Sequence, residues 1–414
     1  MRKVPKLRFR EFSDKWEECY IKDLVKNKII EKPLDGNHGN LHPTSSDYIE
    51  KGIPFIMAND IINDRIDFKN CKKISKNLAQ TLQKGFAKTN DVLLTHKGTL
   101  GRTCIVPELN YDYIILTPQV TYYRIIIKEK LKNTFLKNYF NSNEFVKNLV
   151  KIGASGTRPY IGILEQLNLK IAFPSIQEQE KIANFLSSID KKISLIEEKL
   201  ELFRDYKKGV MQKIFSQELR FKDSEGNDYP EWEEKRLGDY LIKYDETTTK
   251  NNQYPVLTSS RKGIFLQKDY FAGQDIASED TTGYNIVPRG YFTYRHMSDD
   301  LIFKFNINNI VDKGIVSTLY PVFTTKNIND YFLKMKLNEG IEFKRYSLLQ
   351  KQGGSRTYMY FSKLLELKLQ LPVLEEQQKI ADFLFSIDSK IESIEKELEG
   401  LKEFKRGLLQ QMFV

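Results

Sequence analysis

The sequence predicts an α+β protein in which two pseudo-repeated α/β domains are joined by two long helices forming an antiparallel coiled coil. Three observations predict it. A long segment recurs after 198 residues, each copy carries a heptad seam with a single break, and the stretches between hold short runs of alternating apolar and aromatic residues.

The recurring segment is PSIQEQEKIANFLSSIDKKISLIEEKLELFRDYKKGVMQKIF from Pro174 and PVLEEQQKIADFLFSIDSKIESIEKELEGLKEFKRGLLQQMF from Pro372, with 21 of 42 positions identical and no gap. Upstream, at the same shift, Gly156, Arg158, Tyr160 and Leu167 fall on Gly354, Arg356, Tyr358 and Leu365. The copies differ at Pro159 against Thr357 and at Ser175 against Val373. A start block also repeats: Leu7-Arg8-Phe9 and Trp16-Glu17-Glu18 match Leu219-Arg220-Phe221 and Trp232-Glu233-Glu234. The regions between, 26–150 and 242–350, align poorly, so a constant frame carries two different inserts.

The first seam runs through Ile182, Leu186, Ile189, Ile193, Ile196, Leu200, Phe203, Val210 and Ile214 and breaks at Lys207. The second runs from Ile380 to Met412 and breaks at the equivalent Lys405. Ser175 and Glu178 form a capping box for the first helix. A seam needs a partner, and the other helix of the same chain supplies one. It spans roughly 50 Å at about 1.5 Å per residue. The basic clusters beside it, Arg204-Lys207-Lys208 and Lys402-Lys405-Arg406, read first as a solvated face.

The inserts read as mixed α/β. Strands are expected at 53–58, 91–96, 113–117 and 120–127, then at 254–259, 290–295, 301–307 and 314–323, with helix over 131–151. Several loops join Gly to hydroxyl, amide and basic residues, which suit phosphates and base edges. They nominate Asn37, His38, His96, Lys97, Arg102, Ser155, Thr157, Arg158 and Tyr160 in the first half. The second half contributes Ser259, Ser260, Arg261, Lys262, Arg295, Ser355, Arg356 and Tyr358. Each such loop alone is more often a plain turn, and Arg158 or Arg356 is as readily a structural ion pair as a phosphate contact.

A net charge of +10 and a pI near 9.1 favour a polyanionic partner. If the halves read one duplex as an inverted pair, their pseudo-two-fold lies on a DNA dyad, and helices along the duplex run antiparallel. Cys19, Cys71 and Cys104 form no C-x-x-C pair, so no disulfide framework or zinc site is expected, and a reducing cytoplasm fits. No signal peptide or membrane span is expected. There is no Walker-type loop and no N/D-P-P-aromatic methyltransferase signature, and the four histidines lack metal-ligand spacing. No catalytic residue and no metal ligand is therefore nominated. A DNA-binding module, an enzyme with cryptic motifs and a protein-only coiled-coil adaptor all stay open, with the first favoured.

The chain resembles the specificity subunit of type I restriction–modification systems. The resemblance is carried by Pro174, Glu178-Gln179, Lys181-Ile182-Ala183 and Phe185-Leu186 with their copies, by both start blocks, and by Gly-Ile-Pro-Phe-Ile at 52–56. It implies target recognition domains at 1–173 and 218–371 and conserved helical spacers at 174–217 and 372–414. Each domain would read one half of a bipartite, gapped DNA site. Two modification subunits would dock on the helices, with Glu178, Gln179, Lys181, Glu376, Gln377 and Lys379 as the implied docking residues. S-adenosylmethionine would sit on those subunits, ATP and Mg on restriction subunits, and no cofactor on this chain.

Overall fold

The computed structural model describes residues 4–153, 159–271, 278–351 and 356–414. The chain forms two compact units, one of residues 1–197 with 396–414, the other of residues 198–395.

In the first unit, strand Glu17–Tyr20 pairs antiparallel with Lys170–Phe173, so the start block and the entry to the first long helix share one ribbon. Two four-stranded sheets lie between them in the chain. One orders Lys72–Ile74, Tyr48–Ile56, Ile114–Leu116 and Phe86–Ala87; the other orders Leu34–Asp35, Val120–Tyr123, Val92–Lys97 and Thr99–Ile105. The run from Val92 to His96 is buried throughout, as expected of a central strand covered on both faces. Gly98, at φ +78°, makes the turn into the next strand. The helical stretch at 131–151 is two helices, Asn133–Phe140 and Asn143–Gly153. The chain breaks between them, where the Ser142 hydroxyl accepts from the Phe145 amide at 3.4 Å and starts the second helix.

The second unit repeats the ribbon with Glu233–Arg236 against Lys368–Leu371. A four-stranded sheet orders Leu241–Tyr244, Val322–Thr325, Phe292–Thr293 and Asn306–Ile307. The single strand expected at 314–323 is two, Lys313–Val316 and Val322–Thr325. The core beneath is aromatic: Phe292 stacks on Phe323 at 4.9 Å, and Tyr294 lies 4.6 Å from Phe305.

The long helices run Ile176–Phe215 and Leu374–Gln411. Their pairing is antiparallel in each unit. In the first, Asp190 meets Lys405 at 2.6 Å and Glu197 meets Lys402 at 2.7 Å. In the second, Arg204 meets Glu395 at 2.5 Å and Lys207 meets Asp388 at 2.6 Å. Partners thus descend one helix as they ascend the other. The lysines that interrupt the seams have reciprocal aspartate partners at equivalent repeat positions. The capping box does not form: the Glu178 carboxylate is turned to Arg8 and Trp16 instead of to the helix start.

Candidate functional site

The frame is one constellation built twice. Arg8 donates to both Glu178 oxygens at 2.7 Å, and the Trp16 indole N–H adds a 3.3 Å bond. Arg220 donates to Glu376 at 3.3 and 2.9 Å, and Trp232 adds a bond of 3.2 Å. Both glutamates are buried. The next residue repeats too. Gln179 accepts from the Lys132 amide at 3.0 Å and donates to the Pro174 carbonyl at 2.9 Å. Gln377 does the same with Asn329 at 3.0 Å and Pro372 at 2.9 Å. A two-armed guanidinium matched to a buried carboxylate fixes the start block on the helix start. Glu178, Gln179, Glu376 and Gln377 therefore present no free polar surface for a docking partner, which corrects the role implied for them. Lys181 is exposed and paired with Glu11, and Lys379 donates to the Lys222 carbonyl at 2.6 Å.

In the first insert the nominated loops meet at one edge. Bridges join Lys97 to Tyr160, and the Ile161 amide donates to the His96 carbonyl at 3.0 Å. His38 and Lys97 are exposed at the rim, and Tyr160 lies under Lys97, 5.8 Å from its ring centroid. Asn37 and His96 are internal and offer no edge to a duplex. The Asn37 amide bonds the Lys84 carbonyl at 2.7 Å and the Gln83 amide at 3.0 Å. His96 is fully buried and bonds the Ile161 carbonyl through Nδ1 at 2.8 Å. A carbonyl only accepts, so Nδ1 carries the proton, and burial pushes the imidazolium pKa down. Burial pushes Asp35 up, but Lys84 and His38 more than offset this and hold it below the carboxylate range. Arg102 reaches back to the carbonyls of Ala58 and Ile61 at 3.4 and 3.2 Å. Gly36 is required by the fold itself, since a Cβ there would stand 1.9 Å from the Leu116 carbonyl oxygen.

In the second insert Ser259 is buried and accepts from Asn306 at 2.9 Å, and Ser260 bonds the Gly263 carbonyl at 3.1 Å. The Ser260 hydroxyl is thus spent inside the hairpin Leu257–Leu266, and that of Ser259 on the neighbouring strands through Asn306 and the Thr293 carbonyl. Arg261, Lys262 and Arg295 are exposed, with Arg261 on Asp300 at 2.6 Å and Arg356 on Asp299 at 2.9 Å. Tyr358 stacks on Tyr360 at 5.6 Å, and His296 stacks on Tyr360 at 5.1 Å. Ser155, Thr157, Arg158 and Ser355 lie outside the described residues. Among the described residues no three His, Cys, Asp or Glu side chains could hold a metal ion. No described helix is long and apolar enough to cross a membrane.

The family model for the type I restriction modification DNA specificity domain matches residues 13–202 and again 229–403. The chain belongs to this family. Relatives include the type I restriction enzyme MjaVIII specificity subunit of Methanocaldococcus jannaschii, 26% identical over 95% of this chain and 91% of that one. The EcoBI specificity subunit of Escherichia coli is 25% identical over 49% of this chain and 42% of its own. The fold is that of the type I S subunit from M. genitalium, at TM-score 0.55 and 15% identity over 99% of both chains. The chain is thus a type I specificity subunit with two target recognition domains.

The specificity subunit's frame reaches further into the inserts than its sequence suggests. Helix Asn133–Phe140 carries Phe135-Leu136-Lys137 where helix Asp330–Glu339 carries Phe332-Leu333-Lys334, a shift of 197. The match lies one residue off the 198-residue repeat, and the recurring Phe-Leu-Lys triplet is its signal in the sequence.

Proposed function

We propose that this specificity subunit directs methylation and restriction to a bipartite, gapped DNA site, one half read by each target recognition domain, and catalyses nothing itself. The observation that supports it best is the frame built twice from Arg, Glu and Trp beneath two unlike inserts. Such a design keeps attachment constant while the reading surface varies. S-adenosylmethionine belongs on two modification subunits, and ATP and Mg on restriction subunits.

The helices leave Tyr206 and Phe404 about half exposed, at equivalent repeat positions and one to each unit. Leu195, Leu202 and Phe385 are exposed on the same helices, but Tyr206 and Phe404 are the exposed aromatics that recur at matched positions, and exposed aromatics are favoured anchors for a protein partner. We therefore move the docking role from the buried Glu-Gln pairs to these faces. Tyr206→Ala and Phe404→Ala should each cost one modification subunit, read as the mass of the co-purified complex. Full complexes with both variants would remove the assignment.

The deciding experiment is methylome sequencing of cells expressing this chain with its methyltransferase, against cells lacking the chain. N6-methyladenine at a two-part gapped motif, present only with the chain, is the expected result. An unchanged methylome with the chain soluble would remove the reading. Replacing 242–350 by the same region of another family member should change one half of the motif only.

A further inference from the structure

Both target recognition domains share a local backbone lattice that carries different side chains. In the first, the His96 amide donates to the Gln119 carbonyl at 2.9 Å, and the His96 carbonyl accepts from Ile161 at 3.0 Å. In the second, the His296 amide donates to the Leu319 carbonyl at 3.2 Å, and the His296 carbonyl accepts from Met359 at 2.7 Å. Tyr160 lies 5.9 Å from His96, and Tyr358 lies 6.0 Å from His296. By these bonds Gln119 and Leu319 occupy the same place. One is an amide and the other an exposed leucine.

Around Gln119 the first domain has a recess of about 340 Å³, with Met57 and Pro118 as apolar wall and His38, His42, Lys97 and Thr117 as the polar groups beside them. Thr117 is 3% exposed, and its hydroxyl has no hydrogen-bond partner among the described residues. His42 Nδ1 is in the same condition, its ring set 5.6 Å from Phe55. Buried polar atoms left unpaired cost free energy and are retained where a ligand completes them. The Gln119 Oε1 accepts only a 3.3 Å bond from the Ala58 amide. No carboxylate lines the recess, and Lys97 and His38 stand on its rim. The lining is rich in donors and suits an acceptor-bearing edge. A purine presents N7 there, beside the O6 acceptor of guanine or the N6 donor of adenine, and an amide pairs with adenine N7 and N6 through two bonds. Leu319, 41% exposed, offers only apolar surface, which suits the methyl of thymine.

We propose that the position shared by Gln119 and Leu319 determines specificity in each domain, with Gln119 and Thr117 reading a purine in one half-site and Leu319 a thymine in the other. The assignment rests on the function proposed above. Its test is separable, because an unaltered chain that yields no gapped motif would sink that function before any variant is made.

The test uses the full chain expressed with its methyltransferase and reads the methylome. Gln119→Leu should lower discrimination roughly ten- to a hundred-fold at one purine position of one half, leaving the other half unchanged. Thr117→Val keeps shape and removes only the unpaired hydroxyl, so it should melt like the parent and relax the same position. Leu319→Gln should alter one position in the opposite half. A motif unchanged at every position, or methylation abolished by a Thr117→Val chain that still melts like the parent, overturns the assignment.

Discussion

The two copies of the frame place Arg, Glu, Trp and Gln alike, yet they support the same constellation differently. Arg8 has Glu178 and the Asp14 carbonyl. Arg220 has Glu376, a second carboxylate from Glu231, and the carbonyls of Tyr229 and Pro230. The reverse holds in the seam. Lys405 lies between Asp190 at 2.6 Å and Asp64 at 2.9 Å, whereas Lys207 pairs with Asp388 at 2.6 Å. Asp64 comes from the hairpin Ile61–Ile66 of the first insert, beside a Lys137 that it also holds at 2.7 Å. What is constant between the copies is the attachment of frame to helix. What varies is which neighbours brace it: Asp64 of the first insert beside Lys405, Tyr331 of the second beside Asp388, and Glu231 of the start block beside Arg220.

The largest difference between the copies is expected at the glutamates. Glu178→Ala strands a half-buried guanidinium and the buried Trp16 indole N–H, and should cost about 3 kcal/mol of unfolding free energy. Glu376→Ala should cost less, because Glu231 still faces Arg220 at 3.1 Å. Urea unfolding of the two variants measures the difference. Equal losses would mean that the extra partners of Arg220 contribute nothing.

The seam gives the next effect. Lys405→Met leaves Asp64 and Asp190 short of a cation and should cost about 2 kcal/mol. Lys207→Met should cost about 1 kcal/mol, in the range of partly exposed pairs. The pH dependence has a definite sign. Burial pushes Asp64 up, but Lys137 and Lys405 more than offset it and hold it below its ordinary value of 3.8. Its folded pKa is therefore below its unfolded one. The stability it adds is present above 3.8 and is lost as pH falls through the depressed folded value. Asp64→Asn should flatten that part of the acid-unfolding curve, and an unchanged curve would remove Asp64 from the brace.

Much of this was legible in the sequence, for a physical reason. Heptads and the 198-residue repeat are one-dimensional patterns, so helices, pairing and duplication follow directly from Ile182 to Ile214 and their copies. The capping box at Ser175 and Glu178 was misread because a local motif lost its glutamate to an arginine 170 positions away. Asn37 and His96 were nominated from loop composition, and composition cannot tell an amide facing solvent from one bonded to Gln83 and Lys84. Gln119 was missed because it belongs to no motif. Only the bond from the His96 amide to its carbonyl matches it to Leu319, whose carbonyl takes the same bond from His296.

The smallest effect tests whether the copies are interchangeable inside the core. By the 197 shift, Lys336 stands where the first copy has Tyr139. Tyr139 packs on Phe413 at 6.1 Å, while the Lys336 ammonium lies over Trp232 and Phe215 at 4.8 and 5.2 Å and pairs with Glu342 at 2.5 Å. Its side chain is fully buried, and burial pulls its pKa down against the pull of Glu342. A lone buried pair of this kind adds little net stability, because desolvation consumes the attraction. Lys336→Met with Glu342→Gln should therefore be neutral or stabilising by about 1 kcal/mol. Lys336→Met alone should gain less, since Glu342 loses its partner. If the double variant instead unfolds as readily as Glu178→Ala, Lys336 is a structural member of the second frame, and the two copies differ in their core as well as in their braces.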